Sequence, residues 1–163
     1  MTFAREVLDS EQFCSIVEML KNSFDDEGAL KLEEWRQEDT RTLYELGFTL
    51  YKNQNFDKSE TIFRKLVIVM PLEKSHWQGL ASSIQMQGRF EDALVFWSMY
   101  AFIDPKSPIP HFYAAECLFK IGDYKDCLRA ISALCERDLN KEYEEKARTL
   151  KMAALNHLEK IHA

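Results

Sequence analysis

The chain has 163 residues, the length of one ordinary domain, and its 46% hydrophobic residues can form a substantial core. The net charge is −6, with acidic and basic residues mixed along the chain, which argues against a nucleic-acid-binding or anionic-membrane surface. With only 5 glycines and 4 prolines, turn-rich or extended architectures are disfavoured.

Targeting and redox features point to the cytosol and to no membrane insertion. The first residues lack the basic and apolar regions of a secretory signal. Uninterrupted apolar runs such as 66–70 are far shorter than the roughly 20 residues that span a bilayer. The cysteines show no CxxC spacing, so we expect reduced thiols in the core; they are Cys14, Cys117, Cys127 and Cys135.

The N-terminal region, 1–39, is predicted to be an amphipathic helix over about 10–25 followed by a short helical connector. Its apolar stripe consists of Phe13, Ile16, Val17 and Leu20. Such a stripe either packs inside one chain or forms a dimer interface, and the spacing alone does not distinguish the two.

The central region, 40–141, contains an internal repeat of 34 residues. Small residues recur at Gly47, Ala81 and Ala115, and again at the sequence positions Ser59, Ala93 and Cys127. Large residues and prolines follow the same step, as in Phe63 to Trp97 to Ile131 and Pro71 to Pro105. This is the tetratricopeptide pattern, in which small residues lie where two helices cross closely and large ones fill the spaces between pairs. We predict an all-α solenoid of three helix pairs, 40–73, 74–107 and 108–141.

The first helix of the first repeat carries a second apolar stripe, formed by Tyr44, Phe48 and Tyr51. Leu43, Leu46, Gly47 and Leu50 already form the packing stripe that the repeat requires, and a surface helix needs only one apolar face. The second stripe is therefore either covered by the N-terminal segment or open as part of a binding groove.

The concave surface of a tetratricopeptide array is lined by its first helices, so equivalent positions in the later repeats extend the predicted groove. They are Gln78, Ser82 and Gln85 in the second repeat and Phe112, Glu116 and Phe119 in the third. Aromatic rings at both ends with amides and hydroxyls between them suit an extended peptide.

After the array, the segment 142–163 is predicted to be a capping helix that begins after Asn140. One face is apolar and the opposite face is charged, as the last helix of a solenoid in water must be. The four histidines show no HxxxH spacing, and no phosphate-binding loop or nucleophile motif is present. The sequence thus predicts a binding protein without metal or cofactor, and not an enzyme.

Two segments resemble the class II chaperones of bacterial type III secretion. They are LYELGFTLY at 43–51, followed by Phe56, and FYAAECL at 112–118, followed by Gly122. Gly28, before the array, is similar to the glycine that closes the N-terminal helix in that family. The resemblance implies three tetratricopeptide repeats with flanking helices, groove aromatics at Tyr44, Phe48, Tyr51 and Phe56, and frequent dimerisation through the N-terminal region.

What the resemblance implies about function is a cytosolic chaperone that keeps hydrophobic translocator proteins soluble by holding an extended segment in the concave groove. Two alternatives stay open at this point. One is a tetratricopeptide scaffold or adaptor within a secretion complex, and the other is a chaperone for the needle subunit.

Overall fold

A computed structural model describes residues 9–22, 37–136 and 139–162, and within these ranges it contains eight α-helices and no strand. The helices are α1 Ser10–Asn22, α2 Gln37–Lys52, α3 Phe56–Val69, α4 Lys74–Met86, α5 Phe90–Ile103, α6 Pro108–Ile121, α7 Tyr124–Cys135 and α8 Lys141–His162. The all-α fold predicted from the repeat is confirmed. Gly28 and most of the predicted connector lie outside the described residues.

Two compact units make up the structure, an N-terminal unit that ends at Arg89 and a C-terminal unit that begins at Phe90. In the N-terminal unit, α2 packs on α3, α3 packs on α4, and α1 lies against α3. In the C-terminal unit, α5 packs on α6, α6 on α7, and α8 covers α7 and part of α6. The repeat boundaries at 73/74 and 107/108 stay predictions.

The turn inside each helix pair uses a left-handed residue at the same repeat position. Gln54, Gly88 and Gly122 have φ angles of 59°, 77° and 91°. Glycine adopts this conformation without steric cost, whereas the Cβ of Gln54 crowds the backbone. The second helices α3 and α5 end two residues before Pro71 and Pro105, because proline restricts the preceding residue and cannot donate the next helical hydrogen bond.

Close helix crossing explains the small residues of the repeat. Ser59, Ala93 and Cys127 are each fully buried. The hydroxyl of Ser59 donates a hydrogen bond of 2.9 Å to the carbonyl oxygen of Gly47, which joins the two helices of the first pair. A larger side chain at either position would separate α2 from α3.

A second close approach lies between α3 and α4, where Phe63 packs directly on Gly79. A Cβ atom added to Gly79 would lie 2.3 Å from Cε1 and 2.4 Å from Cζ of the Phe63 ring. At Gly47 the corresponding distances to the same ring are 3.1 Å and 3.2 Å. The repeat pattern draws attention to Gly47, but the tighter requirement for glycine is at Gly79.

The prediction that Leu46 belongs to the packing stripe of α2 is wrong, because this residue is 46% exposed. The equivalent Leu80 of α4 is fully buried, since α4 packs on the helix α3 of the preceding pair. No preceding pair covers α2 among the described residues. Leu46 consequently lies on the open side of the first pair.

A buried carboxylate links α3 to the end of α4. Glu60 is 7% exposed and pairs with Arg64 at 2.7 Å and with Arg89 at 2.9 Å. The side-chain amide of Gln87 donates a further hydrogen bond to it at 2.7 Å. Burial favours a raised pKa for Glu60, but these hydrogen bonds and the two guanidinium charges outweigh it, so the pKa lies below its ordinary value.

The last helix begins as predicted, with the side-chain oxygen of Asn140 accepting a hydrogen bond of 3.0 Å from the backbone N–H of Tyr143. Ala147 and Ala154 are buried, so the apolar stripe of α8 faces α7 and α6. None of the described helices is both long enough and apolar enough to cross a membrane.

Candidate peptide-binding surfaces

The stripe of Tyr44, Phe48 and Tyr51 lies on α2 with its rings only partly covered. Phe48 is 47% exposed, and Tyr44 and Tyr51 are half-buried. The rings of Tyr44 and Phe48 stack almost in parallel, with centroids 6.5 Å apart and planes 4° apart. Tyr51 and Phe56 meet edge to face at 5.4 Å. We call the Tyr44–Phe48 pair the aromatic patch.

The aromatic patch is held from below by side chains of α3 and α4. The Tyr44 ring meets Phe63 edge to face at 5.7 Å and lies 5.9 Å from the ring of His76. His76 is buried, and burial lowers its pKa below the ordinary value although the charge of Glu73 opposes this, which favours the neutral imidazole. A rigid, largely apolar base therefore fixes Tyr44 while Phe48 projects outward.

The polar positions predicted for the groove lie on α4. Gln78, Ser82 and Gln85 are all half-buried, and each is therefore partly accessible. Since these α4 positions are polar, the predicted groove aromatics of the N-terminal unit are the aromatic patch together with Tyr51 and Phe56.

In the C-terminal unit the predicted groove residues lie on α6 but differ in exposure. Phe112 is only 4% exposed, because Tyr113 and Tyr143 meet its ring edge to face at 5.4 Å and 5.5 Å. Glu116 and Phe119 are half-buried. The Phe119 ring lies 5.6 Å from His157 of α8 and 5.4 Å from Tyr124 of α7.

The stripe proposed as a dimer interface is largely buried within the single chain. Phe13, Val17 and Leu20 are buried, Ile16 is half-buried, and the Phe13 ring meets Trp77 of α4 edge to face at 5.9 Å. Of the two readings of this stripe, packing inside one chain is the arrangement that the structure contains.

Two lysines lie beside aromatic rings, although the repeat and stripe patterns do not point to them. The Lys52 ammonium lies 5.4 Å from the Phe48 centroid, and the Lys146 ammonium lies 5.5 Å from that of Tyr143. The i, i+4 spacing of Phe48 and Lys52 on one helix was the available signal. Lys146 lies three residues after Tyr143, which is also neighbour spacing on a helix.

The described residues contain no group of His, Cys, Asp or Glu side chains that could hold a metal ion. Burial raises the pKa of the Cys117 and Cys127 thiols to about 12, so both are protonated at neutral pH. Their place is in the packing between helices, where a thiol behaves as a small apolar group. The prediction of core thiols is wrong for Cys14 and Cys135, which are both exposed.

No known protein-family profile matches the chain. Among curated proteins it is similar to the Low calcium response locus protein H of Yersinia pestis and that of Yersinia pseudotuberculosis, each 28% identical over 92 residues. The match covers 56% of this chain and 55% of those proteins, so it spans about half the length of the curated relatives.

Solved structures give a longer match. The Yersinia enterocolitica type III secretion chaperone SycD, in complex with a peptide of the translocator YopD, has a TM-score of 0.70 and 24% identity, covering 74% of this chain and 95% of SycD. PcrH in complex with the chaperone binding region of PopD also has a TM-score of 0.70 and 24% identity, covering 76% and 96%. PcrH from Pseudomonas aeruginosa, solved without a named partner, has a TM-score of 0.68, again at 24% identity and covering 74% and 95%. The predicted resemblance is therefore confirmed at the level of the fold, which this chain shares with the type III secretion translocator chaperones.

Proposed function

We propose that the chain is a bacterial cytoplasmic chaperone that binds a hydrophobic translocator protein of a type III secretion system and keeps it soluble. The observation that carries this proposal is the aromatic patch, which presents a half-exposed phenylalanine on a rigid base in this fold. SycD and PcrH, which share the fold, were solved with translocator segments bound. An extended client segment would place an apolar side chain on the Phe48 and Tyr44 rings.

The remaining predicted groove residues are proposed as secondary contacts within their own units. Partly accessible amides and a hydroxyl on α4, from Gln78, Ser82 and Gln85, can bond to client backbone groups. Tyr51 and Phe56 extend the apolar surface of the N-terminal unit, and Glu116 and Phe119 offer one polar and one aromatic contact in the C-terminal unit. Phe112 would contribute through packing, since its ring is buried.

This function involves no catalytic step. The proteins that share the fold are named as chaperones, and the two buried cysteines are protonated packing groups and not nucleophiles. A homodimer stays a prediction. If it used the Phe13 stripe, α1 would first have to leave its position against Trp77 and α3.

Co-expression with the hydrophobic translocator of the same secretion system tests the proposal. The wild-type chain should shift the translocator from the insoluble to the soluble fraction, and Phe48→Ala should abolish or strongly reduce this shift. Loss of a buried aromatic anchor typically costs about 2 kcal/mol or more of binding free energy, or roughly thirtyfold in affinity.

The matched control removes an exposed apolar side chain of the same unit that lies outside the proposed contacts, Leu72→Ala. This variant should still solubilise the translocator. A wild-type chain that leaves the translocator insoluble but binds a folded component of the secretion apparatus would favour the scaffold function instead.

A further inference from the structure

The face of α2 that carries Phe48 also carries charge, arranged along the helix axis. Arg41, Glu45, Phe48 and Lys52 follow one another at spacings of four, three and four residues, which places them on one face. All four are exposed. The ring that is proposed to receive a client side chain thus lies between an acidic residue and a lysine.

The charges on this face do not cancel. The carboxylate of Glu45 accepts a hydrogen bond from the Arg41 guanidinium at 3.3 Å, so it is directed away from Lys52. The Lys52 ammonium lies over the Phe48 ring and has no carboxylate partner among the described residues. The C-terminal carbonyl groups of α2 compensate only part of its charge.

Lys146 of the C-terminal unit shows that a lysine beside an aromatic ring can have a carboxylate partner in this protein. Its ammonium also lies near aromatic rings, those of Tyr143 and Phe112, but it is bonded to the carboxylate of Glu142. In a chain with a net charge of −6, the aromatic patch is therefore a local positive site beside exposed apolar surface.

We propose that the aromatic patch selects client segments in which an apolar residue has an aspartate or glutamate within two positions of it. The proposal rests on the proposed function and specifies its ligand. With 5.4 Å between the ammonium and the Phe48 centroid, a carboxylate bound to Lys52 lies about two residues along an extended chain from a side chain on the ring. Next to a ring that excludes water on one side, the ion pair is stronger than it would be in open solvent.

A displayed library of random twelve-residue peptides provides the first measurement. It is enriched in parallel on the full wild-type chain, on Phe48→Ala and on Lys52→Gln. Peptides enriched by the wild type over Phe48→Ala should carry Asp or Glu within two residues of an apolar position more often than the starting library. Lys52→Gln should remove this excess.

Affinity measurements on one enriched peptide give the second readout. Replacing its acidic residue by the corresponding amide should weaken binding to the wild type about two- to fivefold at low salt, the range expected for a partly exposed ion pair. The same replacement should leave binding to Lys52→Gln unchanged, and high salt should reduce the difference. Lys58→Gln, the same charge change at an exposed lysine of α3, is the control and should behave like the wild type.

The outcomes separate the two proposals. If the wild type enriches no peptide over Phe48→Ala, the aromatic patch is not a client site and the proposed function loses its main support. If peptides are enriched but the acidic and amide versions bind the wild type equally, the carboxylate preference is refuted while peptide binding stands.

Discussion

Replacing Gly79 by alanine should destabilise the N-terminal unit, although alanine normally stabilises a helix. The new Cβ would lie 2.3, 2.4 and 2.6 Å from three atoms of the Phe63 ring. Carbon atoms in contact are normally about 3.5–4.0 Å apart, so the ring or the α4 backbone must move by about 1 Å. Phe63 is 2% exposed and also meets Tyr44 edge to face, so it has little space into which to move.

The expected magnitude follows from two opposing contributions. Glycine to alanine in a helix interior contributes about 1 kcal/mol of stability. Overpacking a closed core site costs typically about 1–3 kcal/mol, and the short distances here place Gly79 at the upper end. We therefore expect Gly79→Ala to lower the free energy of unfolding by about 2 kcal/mol.

Urea unfolding followed by circular dichroism at 222 nm measures this change, with the slope of the transition compared between variants. Gly47→Ala is the matched control, because its Cβ would approach the same ring only to 3.1 Å, so its loss should be smaller. Phe63→Leu removes the ring atoms nearest to Gly79, and Gly79→Ala should therefore cost less in that background than in the wild type. An unchanged or higher urea midpoint for Gly79→Ala would refute the reasoning.

Three further predictions concern the turn, the buried carboxylate and the thiols. Gln54→Gly should raise the free energy of unfolding by about 1 kcal/mol in urea, because it relieves a left-handed φ of 59°; a lower midpoint would contradict this. Glu60→Gln should lower the free energy of unfolding by about 1–3 kcal/mol at pH 7 and flatten the pH profile of stability. Because the pKa of Glu60 is lower in the folded state than the ordinary value of 4.5, its carboxylate contributes stability above about pH 4.5. This contribution is lost as the pH falls through the folded-state pKa. An equal loss at pH 7 and below the folded pKa would exclude the charge as its cause. Cys117 and Cys127 should react with a thiol reagent only at the rate of unfolding, while the two exposed cysteines react at once; four equally fast thiols would contradict their burial.

The helical repeat could be read from the sequence because each slot has a local physical requirement. A side chain larger than a methyl group would separate the paired helices at Gly47, Ala81 or Ala115. A small residue therefore recurs in the sequence at every step of 34 residues. The turn residues Gly88 and Gly122 are restricted in the same way by their φ angles. The second apolar stripe on α2 could also be recognised in the sequence, since a surface helix needs only one apolar face for packing.

Exposure depended on neighbours that are distant in sequence, and only the tertiary structure decided it. Leu46 occupies the slot that buries Leu80, yet it is open because no preceding helix pair lies against it among the described residues. Phe112 occupies a groove slot like Tyr44, yet Tyr143 of α8 helps to bury it. The periodicity of a helix specifies which side chains share a face; whether that face meets another helix or water is determined by how the helices pack.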